Sequence, residues 1–82
     1  MLHELKTWPE HFNPVLKGAK TFEIRKDDRN FQVGDRLLLR EWDPLPKQHT
    51  GRNLTAEITH KLPGGQFGIV TGWCVLAIKI LK

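Results

Sequence analysis

The stretch "KTFEIRKDDRNFQVGDRLLLREW", residues 20–42, decides the fold class. Residues 20–26 alternate polar and apolar side chains with a period of two, which is typical of a β-strand, and the apolar-rich residues 36–42 read as the next strand, with Leu38 on the face of Arg40 and Trp42. The segment "KDDRN" between them is a polar turn, and a Gly-Asp pair at residues 34–35 precedes the second strand. The stretch therefore predicts two consecutive strands.

The charged residues of these strands raise a functional question. In the first strand, Phe22 and Ile24 lie on one face, and Thr21, Glu23 and Arg25 lie on the other. A strand that only had to fold would be served equally well by Thr or Ser at the charged positions. These charges therefore either keep a small barrel in solution or hold a ligand.

The remaining segments extend the pattern to a chain with one helix and five strands. Pro9 suits the first position of a helix, Pro14 interrupts its regularity, and Gly18 suits its end. The predicted elements are a strand at 2–7, a helix at 8–18, strands at 20–26 and 36–42, a polar loop at 43–53, a strand at 54–62, a turn at 63–68 and a strand at 72–81. The order β-α-β-β-β-β predicts a single α+β, mainly β domain over residues 1–82, in which a five-stranded β-barrel has the N-terminal helix over one opening.

Composition limits the classes of function. The chain has 82 residues and 13 Lys and Arg against 9 Asp and Glu, a net charge of +4 that favours a polyanionic partner such as nucleic acid. It has no serine, and its single Cys74 lies in an apolar run, where we expect a buried, inert thiol. No ligand spacing predicts a metal or cofactor. With no signal peptide or membrane span in the sequence, we expect a cytoplasmic protein.

Residues 18–25 carry the pattern G-x-K-x-x-E-x-R, formed by Gly18, Lys20, Glu23 and Arg25. With "HELKTWPEHF", "GAKTFEIRKDDRNFQVGD", "LLLREWDP", "TGR" and "GGQFG", this pattern resembles the ASCH domain, a branch of the PUA-like β-barrels. The resemblance is greatest to a subgroup of short, stand-alone bacterial and phage proteins of unknown function. It implies a PUA-like barrel whose motif lines a cleft for RNA or nucleotides.

The same residues are candidates on physical grounds. Glu23 and Arg25 share a strand face about 7 Å apart, and Lys20 lies where the chain leaves the helix. Lys20 and Arg25 can bind a phosphate while Glu23 orients a cation or accepts a proton. The alternative is that Glu23 and Arg25 form a structural ion pair that fixes the corner between helix and strand.

Five further residues are candidates for binding RNA or a nucleotide. Arg40 and Trp42 lie on one strand face and can stack on a base, although we favour the core for Trp42 and leave pairing with a carboxylate open for Arg40. Trp8 is either a stacking platform or the side chain that seats the helix. Lys6 lies on the first strand, and Arg52 can reach a phosphate from the polar loop or stay exposed to solvent.

Three functions remain open. The first is an RNA- or nucleotide-binding module. The second is a hydrolase, because some ASCH-type proteins hydrolyse the acetyl amide of acetylated cytidine and others are ribonucleases. In the amidohydrolases the lysine matching Lys20 acts with a threonine and with a later glutamate. In this chain Glu23 takes the place of the threonine, and Glu57 is a candidate for the glutamate by its order in the sequence. If the protein were an enzyme, Lys20 and Glu23 would be its catalytic residues. The third is a protein-interaction domain that uses the barrel edges or residues 44–53.

Overall fold

The computed structural model describes residues 1–81 of the chain, and Lys82 lies outside the described residues. The predicted order of one helix and five strands is confirmed. The elements are β1 (Leu2–Thr7), α1 (Pro9–Leu16), β2 (Phe22–Lys26), β3 (Arg36–Asp43), β4 (Gln48–Pro63) and β5 (Trp73–Leu81). Within residues 1–81, no helix is long and apolar enough to cross a membrane.

The five strands form one curled sheet in the order β1-β3-β4-β5-β2. β1 runs parallel to β3, and the other neighbours are antiparallel. The sheet thus ends in β1 on one side and β2 on the other. Its mainly β character is as predicted, whereas closure into a barrel stays a prediction, because no backbone ladder joins β1 to β2 in the described part of the chain.

Arginine side chains bridge the two sheet edges. Arg25 donates through Nη2 to the carbonyl oxygen of Lys6 at 3.0 Å, and Arg29 donates through Nη1 to that of Glu4 at 2.7 Å. We call the space between β1 and β2, spanned by these two arginines, the β1–β2 seam. The curvature of the sheet therefore places its two edges face to face.

The hydrophobic core fills the concave face of the sheet under α1. Cys74 is fully buried there, as predicted, and burial raises the pKa of its thiol, which keeps it unreactive. The core consists of Leu5, Phe12, Val15, Phe31, Leu37, Leu39, Leu54, Ala56, Ile58, Cys74, Leu76 and Ile78.

β2 turns its charged face inward. Glu23 is only 3% exposed and lies opposite the buried Leu76 of β5, whereas Phe22 and Ile24 on the other face are exposed. The alternation predicted from the sequence is therefore correct, and its polar half faces the interior. Because the polar half of β2 faces inward, the carboxylate of Glu23 lies at the end of the core, beside the seam.

The polar loop predicted at residues 43–53 is wrong in its extent. β3 runs to Asp43 and β4 begins at Gln48, so that only a short turn remains between them. Cross-strand pairing of Trp42 with His49 continues the hairpin past a register shift between Arg40 and Trp42. Trp42 is half-buried outside the core, with its ring 4.9 Å from that of His49, so its predicted core position is also wrong.

The end of α1 positions the start of β2. Pro9 begins the helix as predicted, and Pro14 lies inside it without ending it. Gly18 then adopts a φ of +79°, which suits glycine, and turns the chain out of the helix. The carbonyl oxygen of Pro14 accepts the backbone N–H groups of Ala19 and Lys20 at 2.9 and 3.0 Å, which ties Lys20 to the helix end.

Candidate ligand-binding site at the β1–β2 seam

Three charged side chains meet at the mouth of the seam. Arg25 donates through Nε to Oε2 of Glu23 at 3.0 Å, and Nζ of Lys20 lies 3.8 Å from Oε1 of the same carboxylate. Arg25 also donates through Nη2 to Oγ1 of Thr7 at 3.3 Å. The ammonium, carboxylate and guanidinium predicted to lie together are therefore one cluster. Glu23 and Arg25 form the ion pair that the structural alternative predicted, and the same cluster also faces a cavity.

One oxygen of this cluster lacks a hydrogen-bond partner. The side chain of Glu23 is 4% exposed, and its Oε1 is buried without a donor within hydrogen-bonding distance among the described residues. Leaving a buried polar atom unsatisfied costs about 1–3 kcal/mol, and more for a charged group. A ligand that donates an N–H or O–H group to Oε1 would recover this free energy.

The cluster opens into a cavity of about 610 Å³, which we call the seam cavity. Trp8 and Phe22, 50% and 43% exposed, supply flat apolar surfaces in it, and Nζ of Lys20 lies 5.4 Å from the centre of the Phe22 ring. Aromatic walls with a few convergent polar groups are typical of small-molecule sites. The seam cavity is lined by Lys6, Thr7, Trp8, His11, Lys20, Phe22, Glu23, Ile24 and Arg25.

A second, more basic cavity adjoins the first along β1. This basic cavity has a volume of about 340 Å³ and shares Lys6 and Arg25 with the seam cavity. No carboxylate within residues 1–81 lies within salt-bridge distance of Arg40, so the predicted alternative of a paired Arg40 is not what the structure has. The basic cavity is lined by Glu4, Leu5, Lys6, Arg25, Arg29, Arg40 and His49.

The other predicted residues have different positions. Trp42 flanks the basic cavity through Lys6, whose Nζ lies 4.0 Å from the centre of its ring. Arg52 lines neither cavity: its Nη2 donates to Oε2 of Glu41 and to Oδ1 of Asn13, each at 2.7 Å. Arg52 thus fixes α1 to the sheet. The two cavities bring together the other candidate residues except Trp42, namely Lys6, Trp8, Lys20, Glu23, Arg25 and Arg40.

Two carboxyl groups, those of Glu41 and Asp35, make part of the free energy of unfolding depend on pH. Hydrogen bonds from Arg52 and Thr50 lower the pKa of the Glu41 carboxyl from 4.5 to about 2. A hydrogen bond from His3, with others from the N-terminal ammonium and the Gln32 backbone, lowers the pKa of Asp35 from 3.8 to about 2. Both carboxyls therefore release protons more readily in the folded protein than in the unfolded chain.

Because both pKa values are lowered by folding, the stabilisation is present above about pH 4.5 and is lost as the pH falls toward 2. We expect the urea midpoint of unfolding to decrease across this window. Glu41→Gln should flatten the decrease, whereas Glu10→Gln, at an exposed glutamate of α1, should leave it unchanged. Equal slopes for the wild type and Glu41→Gln would contradict the assignment to Glu41.

Sequence reasoning missed eight residues that line the two cavities: Glu4, Leu5, Thr7, His11, Phe22, Ile24, Arg29 and His49. The alternation of β1 indicates that Thr7 points inward, as His3 and Leu5 do, and this pattern was available from the sequence. His11, Arg29 and His49 lie on a helix, in a turn and on a distant strand, respectively. Only the tertiary fold brings them to the seam.

Comparison with known proteins finds a matching family model and a similar phage protein. Residues 2–78 match the family model described as "Domain of unknown function (DUF3850)". The "Uncharacterized 12.9 kDa protein in GpA 3'region" of Escherichia phage P2 is 45% identical over 58 residues, which cover 71% of this chain. The aligned part is 51% of that protein, so the chain spans about half the length of its phage relative.

Proposed function

The chain belongs to the DUF3850 domain family, and on that premise we propose from its cavities that it binds RNA or a free nucleotide. The observation that carries this proposal is the meeting of Lys20, Glu23 and Arg25 beside Trp8 in the seam cavity. We further propose that the family is an ASCH-like branch of the PUA-like barrels, closed across the seam by side chains, and that it acts in the cytoplasm. The G-x-K-x-x-E-x-R motif at the mouth of the sheet supports this relationship.

The chemistry of the two cavities fits a nucleotide. Trp8 and Phe22 offer surfaces on which a base can stack, a contact worth about 1–3 kcal/mol per base. Glu23 offers a hydrogen-bond acceptor, and Lys6, Arg25 and Arg40 offer positive charge for a phosphate. Because few cations are involved, we expect weak binding that decreases as the salt concentration rises.

The hydrolase alternative has less support. It needs a catalytic lysine and carboxylates around the substrate, and water would cleave the amide of acetylated cytidine into acetate and cytidine. Lys20 and Glu23 lie together. Glu57 lies opposite Arg36 of β3 and Lys79 of β5 in the strand register of the sheet, and it lines neither cavity. Binding is therefore the function that we propose.

A titration of fluorescently labelled single-stranded RNA, followed by anisotropy at low and raised salt, tests this proposal. Lys20→Ala removes a charged hydrogen-bond donor of the seam cavity, and we expect it to weaken binding about tenfold. Lys79→Ala, at an exposed lysine on β5 outside both cavities, is the matched control and should retain wild-type affinity.

Two results would contradict the proposal. One is the absence of binding at low salt to RNA and to mononucleotides. The other is an equal loss of affinity in Lys20→Ala and Lys79→Ala, which would indicate attraction by overall charge rather than by the seam cavity.

A further inference from the structure

We propose that the two cavities divide a nucleotide between them: the base donates an N–H group to Glu23 in the seam cavity, and the phosphate lies in the basic cavity beside Arg40. This inference rests on the proposed function and adds to it the orientation of the ligand. It assigns different chemical roles to two groups of residues that one bound molecule would contact together. Lys20 and Glu23 would bind the base, and Lys6 and Arg40 would bind the phosphate.

The unpartnered oxygen of Glu23 determines which part of the ligand lies in the seam cavity. A phosphate placed there would bring its negative charge against a buried carboxylate, which is unfavourable at short range. The Oε2 atom already accepts from Arg25, so Oε1 is the acceptor that remains for a ligand. A nucleobase supplies a neutral N–H donor and a flat face for Trp8, and thereby satisfies both features.

Lys20 complements this acceptor. Its Nζ lies 3.8 Å from Oε1 of Glu23, so a donor and an acceptor stand side by side in the cavity. The hydrogen-bonding edge of a base likewise carries an N–H donor next to an oxygen or nitrogen acceptor. The base edge and the Lys20–Glu23 pair are therefore complementary in the order of their groups.

The basic cavity has the opposite character. Lys6, Arg25, Arg29 and Arg40 line it against the single carboxylate of Glu4. Arg25 forms an ion pair with Glu23, whereas Lys6, Arg29 and Arg40 form none among residues 1–81, and Arg29 is held only by the neutral carbonyl oxygen of Glu4. Cations that are not neutralised by protein groups are what a phosphate needs.

One molecule can contact both cavities because they share residues. Lys6 and Arg25, joined by a hydrogen bond across the seam, line both cavities, so the cavities adjoin at this pair and a ligand that contacts both would pass over it. A 5′-mononucleotide carries its base on C1′ and its phosphate on C5′ of the ribose, so the two groups are separated by the sugar. The ligand would then cross the β1 edge near Lys6, with its base toward α1 and its phosphate toward β3.

The test maps three probes on the isotopically labelled protein by NMR. Inorganic phosphate should shift the backbone resonances of Lys6, Arg40 and His49, uridine should shift those of Trp8, Lys20 and Glu23, and uridine monophosphate should shift both groups. Arg40→Ala should weaken uridine monophosphate about tenfold and leave uridine unchanged. Arg36→Ala, on the same strand but outside both cavities, is the control and should change neither.

The role of Glu23 is tested without altering the fold. N3-methyluridine lacks the N–H group of uridine, and we expect the wild-type protein to bind it about tenfold more weakly. Equal affinities for the two nucleosides overturn the role assigned to Glu23. Shifts of Lys20 and Glu23 by inorganic phosphate, or unchanged binding of uridine monophosphate by Arg40→Ala, overturn the orientation while the proposed function stands. The absence of any binding of nucleotides or RNA overturns both.

Discussion

Arg25→Ala is expected to destabilise the protein by about 3 kcal/mol, the lower end of the cost of leaving one member of a buried ion pair without its partner, because the Arg25 side chain is itself 25% exposed. Glu23 would stay in the interior with only Lys20 near it, at 3.8 Å. The substitution also removes the bonds from Arg25 to the Lys6 carbonyl oxygen and to Thr7, so one bridge across the seam is lost. Urea unfolding followed by circular dichroism measures the loss.

A double variant separates the ion pair from the size of the side chains. In Glu23→Leu/Arg25→Met both charges are replaced by apolar groups of similar volume, which often restores stability. We expect it to recover at least about half of the loss. Arg36→Ala, at an exposed arginine, should stay within about 0.5 kcal/mol of the wild type. A double variant no more stable than Arg25→Ala would show that the buried charge of Glu23 is not the cause.

Gly64→Ala is the second substitution from which we expect a large loss, about 3 kcal/mol, at the upper end of the range for overpacking. A Cβ atom at Gly64 would overlap with the carbonyl oxygen of Val70 and lie 2.5 Å from that of Trp73. Both neighbours are backbone atoms, and the N–H of Gly64 donates to the same Trp73 oxygen at 2.7 Å. The end of the β4–β5 hairpin would have to move.

Gly68→Ala is the control for this glycine, because its Cβ would meet no atom within 4 Å. Gly68 has a φ of +77°, so alanine there costs only the strain of a left-handed backbone, about 1–2 kcal/mol. Thermal unfolding of the two variants gives the comparison. A loss in Gly64→Ala no greater than in Gly68→Ala would show that the hairpin relaxes around the added methyl group.

The strands and the helix were predictable because local patterns specify them. The period of two in residues 20–26 and the glycine at the helix end both act over a few residues. The pattern does not say which face of a strand is inside. For β2 the apolar half would ordinarily face the core, yet Glu23 is buried and Ile24 is exposed. That choice depends on Arg25 and Lys20 neutralising Glu23 in the fold.

The extent of the β3–β4 hairpin was not predictable for a related reason. Residues 43–53 contain Pro44 and Pro46, which indicate a loop, and few apolar side chains. In the structure the prolines occupy only the turn, and β4 continues through polar residues because Thr50 and Arg52 bind the buried Glu41. A polar contact across strands replaced the hydrophobic pattern on which strand prediction depends.

The candidate site was predictable only where its residues are neighbours in sequence. Lys20, Glu23 and Arg25 lie within six positions, so the helix end and one strand suffice to bring them together. Arg29 and His49 come from a turn and a different strand, and their place beside Arg40 follows from the order of the sheet. No local pattern carries that information.

The arginines across the seam also have a consequence for self-association. A sheet edge with unpaired N–H and C=O groups is a template on which another chain can add a strand and begin a fibril. Arg25 and Arg29 occupy the carbonyl oxygens of Lys6 and Glu4, and their positive charges would repel a second copy of a chain with a net charge of +4. By occupying this edge, Arg25 and Arg29 are expected to disfavour the addition of a second chain to β1, and thus aggregation.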